Sequence, residues 1–370
     1  MKRPKSTLRY TSRPVASRRR FLQHSAAGIG ALSLSSASFL LAAEPELDVL
    51  YRAAREEGSL SFYGGGPIAA HRRSADAFSQ AFPGIKVEVA AGFSNVLAPR
   101  IDAQIAAGKM EVDVAMLQTL QDFERWKRAG ALLPYRPAGW EQIPDGFKDP
   151  EATSIGVAVY AVAYAINPER VRREDAPTSA LDFLDPKFSG QVISTYPHDD
   201  DITLYLYWTI VQKYGWDFMK RLMANKPRFI RGHLGVAREI AQGRAGLSFD
   251  ATTSTTFGEQ QRGGKIELVF PGTDRMPIWA NSAAIFRGAP HPNAARLFLS
   301  WTIAREQQSR LPRGIWPTRR DVTPPTGLRP ITDYNLANGY REFIIDEPRV
   351  VALRRQFETY IGPVLGEPVI

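Results

Sequence analysis

The sequence predicts an α/β protein of two lobes, each a mainly parallel sheet flanked by helices, joined by two extended crossover strands. Three observations predict it. Strand and helix patterns alternate from residue 46 to about 130. The same alternation resumes from 191 to about 271. Between and after these blocks stand two long apolar, β-rich runs, IGVAVYAVAYAI (155–166) and PIWANSAAIF (277–286). A buried strand reads as such a run.

The first block opens with ELDVLYRAAREE (46–57), apolar at helical spacing and stopped by Gly58. SLSFY (59–63) reads as a short buried strand running into Gly64, Gly65, Gly66 and Pro67. Pro67 suits the first turn of a helix over 68–81, which ends before Pro83-Gly84. IKVEVAA (85–91) alternates with period two, as a strand does. Ser94 is a candidate cap for a helix over 95–107, closed by Gly108. VDVAML (112–117) is a third strand, and Gln118-Thr119 lead into a helix that ends at Gly130. Strand–helix–strand at this spacing predicts crossovers onto a parallel sheet.

After the long run 155–166, Asn167-Pro168 breaks the pattern, and QVISTY (191–196) is the next strand. Helices are expected over 202–214 and 216–224. A strand at RFIRG (228–232) should lead into a helix over 234–242. GLSFD (246–250), IELVFP (266–271) and 277–286 complete the strands. A helix over 291–309, an irregular Pro- and Arg-rich crossing over 311–333 and a closing helix over 347–361 follow. With crossovers in 155–166 and 275–286, the first lobe is discontinuous, 44–160 plus 280–370, and the second is 161–279.

Residues 1–43 read as a leader. SRRRFLQ (17–23) fits the twin-arginine export pattern S-R-R-x-F-L-K except at Gln23, and a weakly apolar Gly/Ala/Ser run follows it. That run is too short for a membrane span, which needs about 18 or more apolar residues. Cleavage is expected near Ala42 or Ala43. The leader holds eight of the 47 Lys and Arg and none of the 38 Asp and Glu, so all but one unit of the net charge of +9 belongs to it. The remainder is close to neutral, which gives no electrostatic ground for nucleic acid or a membrane surface as partner. Zero cysteines exclude a disulfide, a thiolate metal site, a Cys nucleophile and a lipid-anchored Cys.

The runs AAREEGSLSFYGG, RWKRAGALLPY, AINPERV, DAPTSALDFLDPKFSGQV, AQGRAGLSFD and HPNAARLFLSWTIAREQQ together resemble the bacterial extracellular solute-binding proteins of ABC importers. DAPTSALDFLDPKFSG is the most specific of them. The nearest branch looks like the ferric-iron, thiamine and aminoethylphosphonate group with the type II periplasmic binding fold. The resemblance implies a periplasmic receptor that closes on a small solute, expected to be polar or anionic, and delivers it to the permease subunits of an ABC importer. It implies a monomer with no cofactor. Ferric members use an adjacent tyrosine pair after the strand matching GLSFD. Here Asp250, Ala251, Thr252 and Thr253 stand there, so no metal ligand is assigned.

Ligands of open α/β lobes sit off the carboxyl ends of strands, beside helix N-termini. That rule selects Tyr63, Gly64, Gly65, Gln118 and Thr119 on the first lobe. The glycines would let backbone N–H groups approach an anion, although a tight turn explains them equally. On the second lobe it selects His198 and Asp199 within YPHDDD (196–201), where Asp200 or Asp201 is read as a helix cap. Arg231 and His233 follow the next strand, and Arg suits bidentate recognition of an oxyanion. Asp250, Thr252 and Thr253 follow the next, as ligand contacts or helix caps. Trp279 and Asn281 lie on the return crossover, Trp279 to stack on a ligand or to fill the core. An enzyme is the rival class. Yet there is no G-x-S-x-G, H-E-x-x-H or P-loop, and only five His. A sensor-input module of the same fold is a third reading.

Overall fold

The computed structural model describes residues 47–369, so the leader and its export motif lie outside the described residues. Helix α1 (47–57) ends at Gly58, whose φ of 70° suits glycine. Strand β1 (Ser59–Gly65) buries alternate residues, Leu60 and Phe62 among them, and pairs in parallel with β2 (Lys86–Gly92) and β3 (Val114–Leu117). Between them lie α2 (Ile68–Ala81) and α3 (Ser94–Ala106), and α4 (Leu120–Arg128) follows β3. Ser94 does not cap α3 as expected. It opens the helix, and its Oγ accepts instead from the Gln118 N–H at 3.2 Å.

The long runs are the two strands β5 (Ile155–Ile166) and β10 (Met276–Phe286). They pair antiparallel with each other in the sheet order β2-β1-β3-β10-β5-β8. The far end of β10 joins β3, and the far end of β5 joins β8 (Leu247–Thr252) and β9 (Glu267–Val269). β4 (Leu132–Leu133) and β11 (Leu336–Ala337) add short rungs to β10. β6 (Ile193–Thr195) and β7 (Arg228–Ile230) form a parallel pair, tied to β8 through a Val192–Leu247 bridge. Every residue of β5 is buried except Tyr160, which is half-buried, as a strand covered on both faces requires.

Beyond β6 come α5 (Asp201–Tyr214), α6 (Asp217–Ala224) and α7 (His233–Ala241), and α8 (Thr253–Gln261) follows β8. The helix expected over 291–309 breaks at Ala304, whose ψ of 144° is extended, into α9 (Pro292–Ile303) and α10 (Arg305–Gln308). Two helices close the described chain rather than one, α11 (Tyr340–Ile344) and α12 (Glu347–Ile361).

Two large apolar cores result. One gathers Phe62, Phe78, Ile155, Ile285 and Phe298, under α1, α2 and α9. The other gathers Tyr164, Phe183, Tyr207, Phe218 and Phe249. Val350, Leu353 and Phe357 of α12 belong to the second core, with the Phe357 ring 5.0 Å from Trp216 and 5.6 Å from Tyr207. The expected division placed 280–370 with the first lobe. The apolar stripe of α12 packs in the core that holds Tyr207 and Phe249.

Candidate functional site

The candidate residues lie at two sets of strand ends, which we read as the two sides of one crevice. β1, β2 and β3 end on one side of it, and β6, β7 and β8 end on the other. The N-terminal turns of α4 and α5 meet across it, where Gln121 Nε2 donates to Asp201 Oδ2 at 2.8 Å. Arg341 of α11 pairs with Glu124 of α4, and Leu120 packs against the second core. Helices α4, α5 and α11 all touch β10, so β10 and β5 form the floor.

Tyr160 and Trp279 face each other across the β5–β10 ladder, rings stacked at 5.3 Å and 20°. Burial pushes the Tyr160 phenol up to about 12, so it stays a neutral donor. Two residues along β10, Asn281 stands where Ser282 pairs with Leu117, at the end of β3. Trp279 is 6% exposed, Asn281 5% and Thr119 9%. Trp279 Nε1, Asn281 Oδ1, Thr119 Oγ1 and Gln121 Oε1 are all buried without a hydrogen-bond partner. The Thr119 hydroxyl sits beside the Asp122 carboxyl. A buried polar atom without a partner costs about 1–3 kcal/mol, so four around one floor call for a ligand or water.

The second-lobe wall is a closed polar network. Asp250, fully buried within β8, accepts from Ser194 Oγ, Thr195 N and Thr195 Oγ1 at 2.8–2.9 Å. Its other oxygen meets His233 Nε2 at 3.0 Å. His233 opens α7, and its Nδ1 lies 3.9 Å from Asp200. Burial lowers the imidazole pKa, but Asp250 and Asp200 more than offset it and raise the group to about 9. His233 is therefore an imidazolium at neutral pH. Asp200 is the α5 cap, accepting from the N–H groups of Ile202 and Thr203. Asp199 and Arg231 bind each other in bidentate fashion at 2.8 and 3.0 Å.

The first-lobe wall is tight. A Cβ on Gly64 would stand 2.6 Å from the His71 ring, and one on Gly65 would stand 2.6 Å from Ser94 Oγ. His71 Nε2 bonds the Gly65 carbonyl at 2.9 Å, and burial lowers its pKa. The glycines therefore make room for protein side chains. Gln118 is exposed at the mouth.

The structure brings Asp199 to Arg231, His233 to Asp250, and Thr119, Trp279 and Asn281 to the floor. Other expected residues are used elsewhere. The Tyr63 hydroxyl accepts from Gln104 of α3 at 3.3 Å. The His198 ring packs edge-on against Tyr196 and lies beside Gly362, and burial lowers its pKa. Thr252 precedes α8 without capping it, its hydroxyl sharing a hydrogen bond with Thr255. Thr253 Oγ1 donates to the Gly314 carbonyl at 2.6 Å. Gln121 and Asp201 escaped sequence reasoning as crevice residues, since a polar residue in a helix's first turn reads as a cap. A cavity of about 1000 Å³ lies against β10, lined by Leu120, Trp279, Trp316, Arg319, Tyr340 and Arg341.

Comparison with known proteins follows the same geometry. A family model described as bacterial extracellular solute-binding protein matches residues 73–328. A probable ABC transporter periplasmic-binding protein, y4fP of Sinorhizobium fredii, is 22% identical over 210 residues, covering 54% of this chain and 55% of that protein. An uncharacterized Haemophilus influenzae protein is 24% identical over 190 residues, 48% of this chain and 54% of that one. The chain thus spans about half the length of these curated relatives. Among solved structures, iron-bound HitA from Pseudomonas aeruginosa has a TM-score of 0.68 at 18% identity, covering 81% of this chain and 99% of that one. AfuA from Actinobacillus pleuropneumoniae, with fructose-6-phosphate bound, has a TM-score of 0.69 at 21% identity, covering 82% and 98%. At these identities the likeness concerns the fold.

Proposed function

Because this chain belongs to the bacterial extracellular solute-binding protein family, we propose that it is a periplasmic receptor that captures one small polar solute between its lobes and delivers it to the permease of an ABC importer. The fold is the two-lobed type II periplasmic binding fold expected from the sequence. One observation carries the reading beyond the family. Four neutral polar atoms without partners surround the floor where the lobes meet, and a solute enclosed there would satisfy them. Among the described residues two strands and the segment 311–339, which pairs on Val159 through Trp316, join the lobes, so small dihedral changes there can open and close the crevice. Lobes divided by their cores would be 47–160 with 280–310, and 161–279 with 340–361. Export by the twin-arginine route, action as a monomer and independence from nucleic acid belong to the same proposal.

Family members are transport receptors, and the charged groups of the crevice fit that role better than catalysis. His233 and Asp250 neutralise each other, as do Asp199 and Arg231. A ferric reading is favoured by the iron-bound relative. It asks for converging anionic oxygens. Here the Tyr63 phenol serves Gln104, Tyr160 stacks on Trp279, and Tyr196 packs on Phe229. Among the described residues no three His, Asp or Glu side chains group as a metal site.

A thermal-shift screen of the mature protein against amino acids, polyamines, organic acids, phosphonates, sugars and ferric citrate tests the proposal, since a tight ligand raises the melting temperature by mass action. One-to-one binding without conversion of the hit is expected. Turnover of the hit would favour an enzyme, and a stoichiometric visible phenolate–iron band would favour the ferric reading.

A further inference from the structure

We infer that the crevice floor recognises an uncharged, polyhydroxylated group, a sugar or polyol moiety, rather than an ionic one. The inference rests on the receptor reading and narrows its solute. The carboxylates in the first turns of α4 and α5 have partners within the protein. Asp201 is held by Arg354 and Gln121, Glu124 by Arg341, and Asp122 by Arg125 at 2.6 Å. On the wall above, Asp199 holds Arg231 and Asp250 holds His233. An ionic solute would find no unpaired counter-charge among these groups and could gain one only by breaking a pair.

The groups left over are neutral. Trp279 Nε1 can only donate, Asn281 Oδ1 and Gln121 Oε1 can only accept, and the Thr119 hydroxyl does either. The Gln121 assignment is fixed by its own Nε2, which donates to Asp201. The α4 N-terminus adds N–H groups that no side chain caps. Two acceptors beside donors, with no free charge, match a molecule carrying several hydroxyls, since each hydroxyl both donates and accepts. A carboxylate or phosphate would serve the donors and repel the two carbonyl oxygens.

Titration calorimetry with glycerol, mannitol, inositol and glucose, and in parallel with phosphate, citrate and glutamate, tests the class. The expected result is one-to-one binding of a neutral polyol. Thr119→Val and Asn281→Leu should each lower its affinity tenfold or more. Both variants remove an unpaired buried atom, so the unliganded proteins should melt at or above the wild-type temperature. A merely structural role would lower it. Binding confined to the charged set overturns the inference while leaving the receptor reading intact. So does wild-type affinity in both variants, or a lowered melting temperature in both. Binding of neither set removes the polyol class and returns the solute to the wider screen.

Discussion

The His233–Asp250 pair sets a pH dependence of stability that can be worked from the structure. The His233 side chain is 11% exposed, and its imidazolium is held by Asp250 at 3.0 Å with Asp200 at 3.9 Å. Its pKa rises from 6.5 in the unfolded chain to about 9 in the folded one. Below about pH 6.5 both states carry the proton, and the stabilisation is fully present. Between 6.5 and 9 the folded state keeps a proton that the unfolded state has released, so stability falls as pH rises. At about 1.4 kcal/mol per pH unit, the loss on reaching pH 9 is about 3 kcal/mol. The assay is urea unfolding of wild type and His233→Gln at half-unit intervals from pH 6 to 10. Other titrating groups contribute to both proteins, so the difference isolates His233. The wild-type advantage should shrink steadily across the window and be gone by about pH 10. Parallel curves for the two proteins would refute the ion pair.

Other expectations follow from single contacts. Gly64→Ala should cost about 1–3 kcal/mol by overpacking against the His71 ring, measured by denaturant unfolding, and His71→Ala should relieve most of the cost. Phe357→Ala should destabilise by about 3–5 kcal/mol and loosen α12, seen as faster amide exchange over 347–361. Replacing Arg18 and Arg19 with Lys should leave the protein unexported in a fractionation assay, and undiminished periplasmic protein would count against twin-arginine export.

Much of the fold was legible because hydrophobic periodicity dominates it. The two hinge strands stood out as uninterrupted apolar runs, and β1, β2 and the helix over 68–81 fell within two residues of their expected ends. The placement of α12 was not legible. Its stripe of Val350, Leu353 and Phe357 says only that one face is buried, and which core receives it depends on contacts with Tyr207 and Trp216, more than 100 residues earlier in the chain. The site was legible in part. The strand-end rule offered Thr119, Arg231, His233 and Asp250 as candidates, and the return crossover offered Trp279 and Asn281, but neither could tell which charges would neutralise one another. The Gly64–Gly66 turn suggested a cradle for an anion, whereas Gly64 and Gly65 accommodate His71 and Ser94. Tyr63 shares a strand with the crevice glycines, yet its phenol points to α3 because side chains alternate along a strand.

The central claim is that a solute bound between the lobes holds them closed. A ligand can shift that equilibrium only by its differential affinity for the closed form. The most direct test is small-angle scattering of the mature protein with and without a saturating hit from the solute screen. The expected result is a smaller radius of gyration in the bound protein, with the shift abolished at the same solute concentration in Thr119→Val/Asn281→Leu. An unchanged radius at demonstrated saturation would contradict closure on the solute.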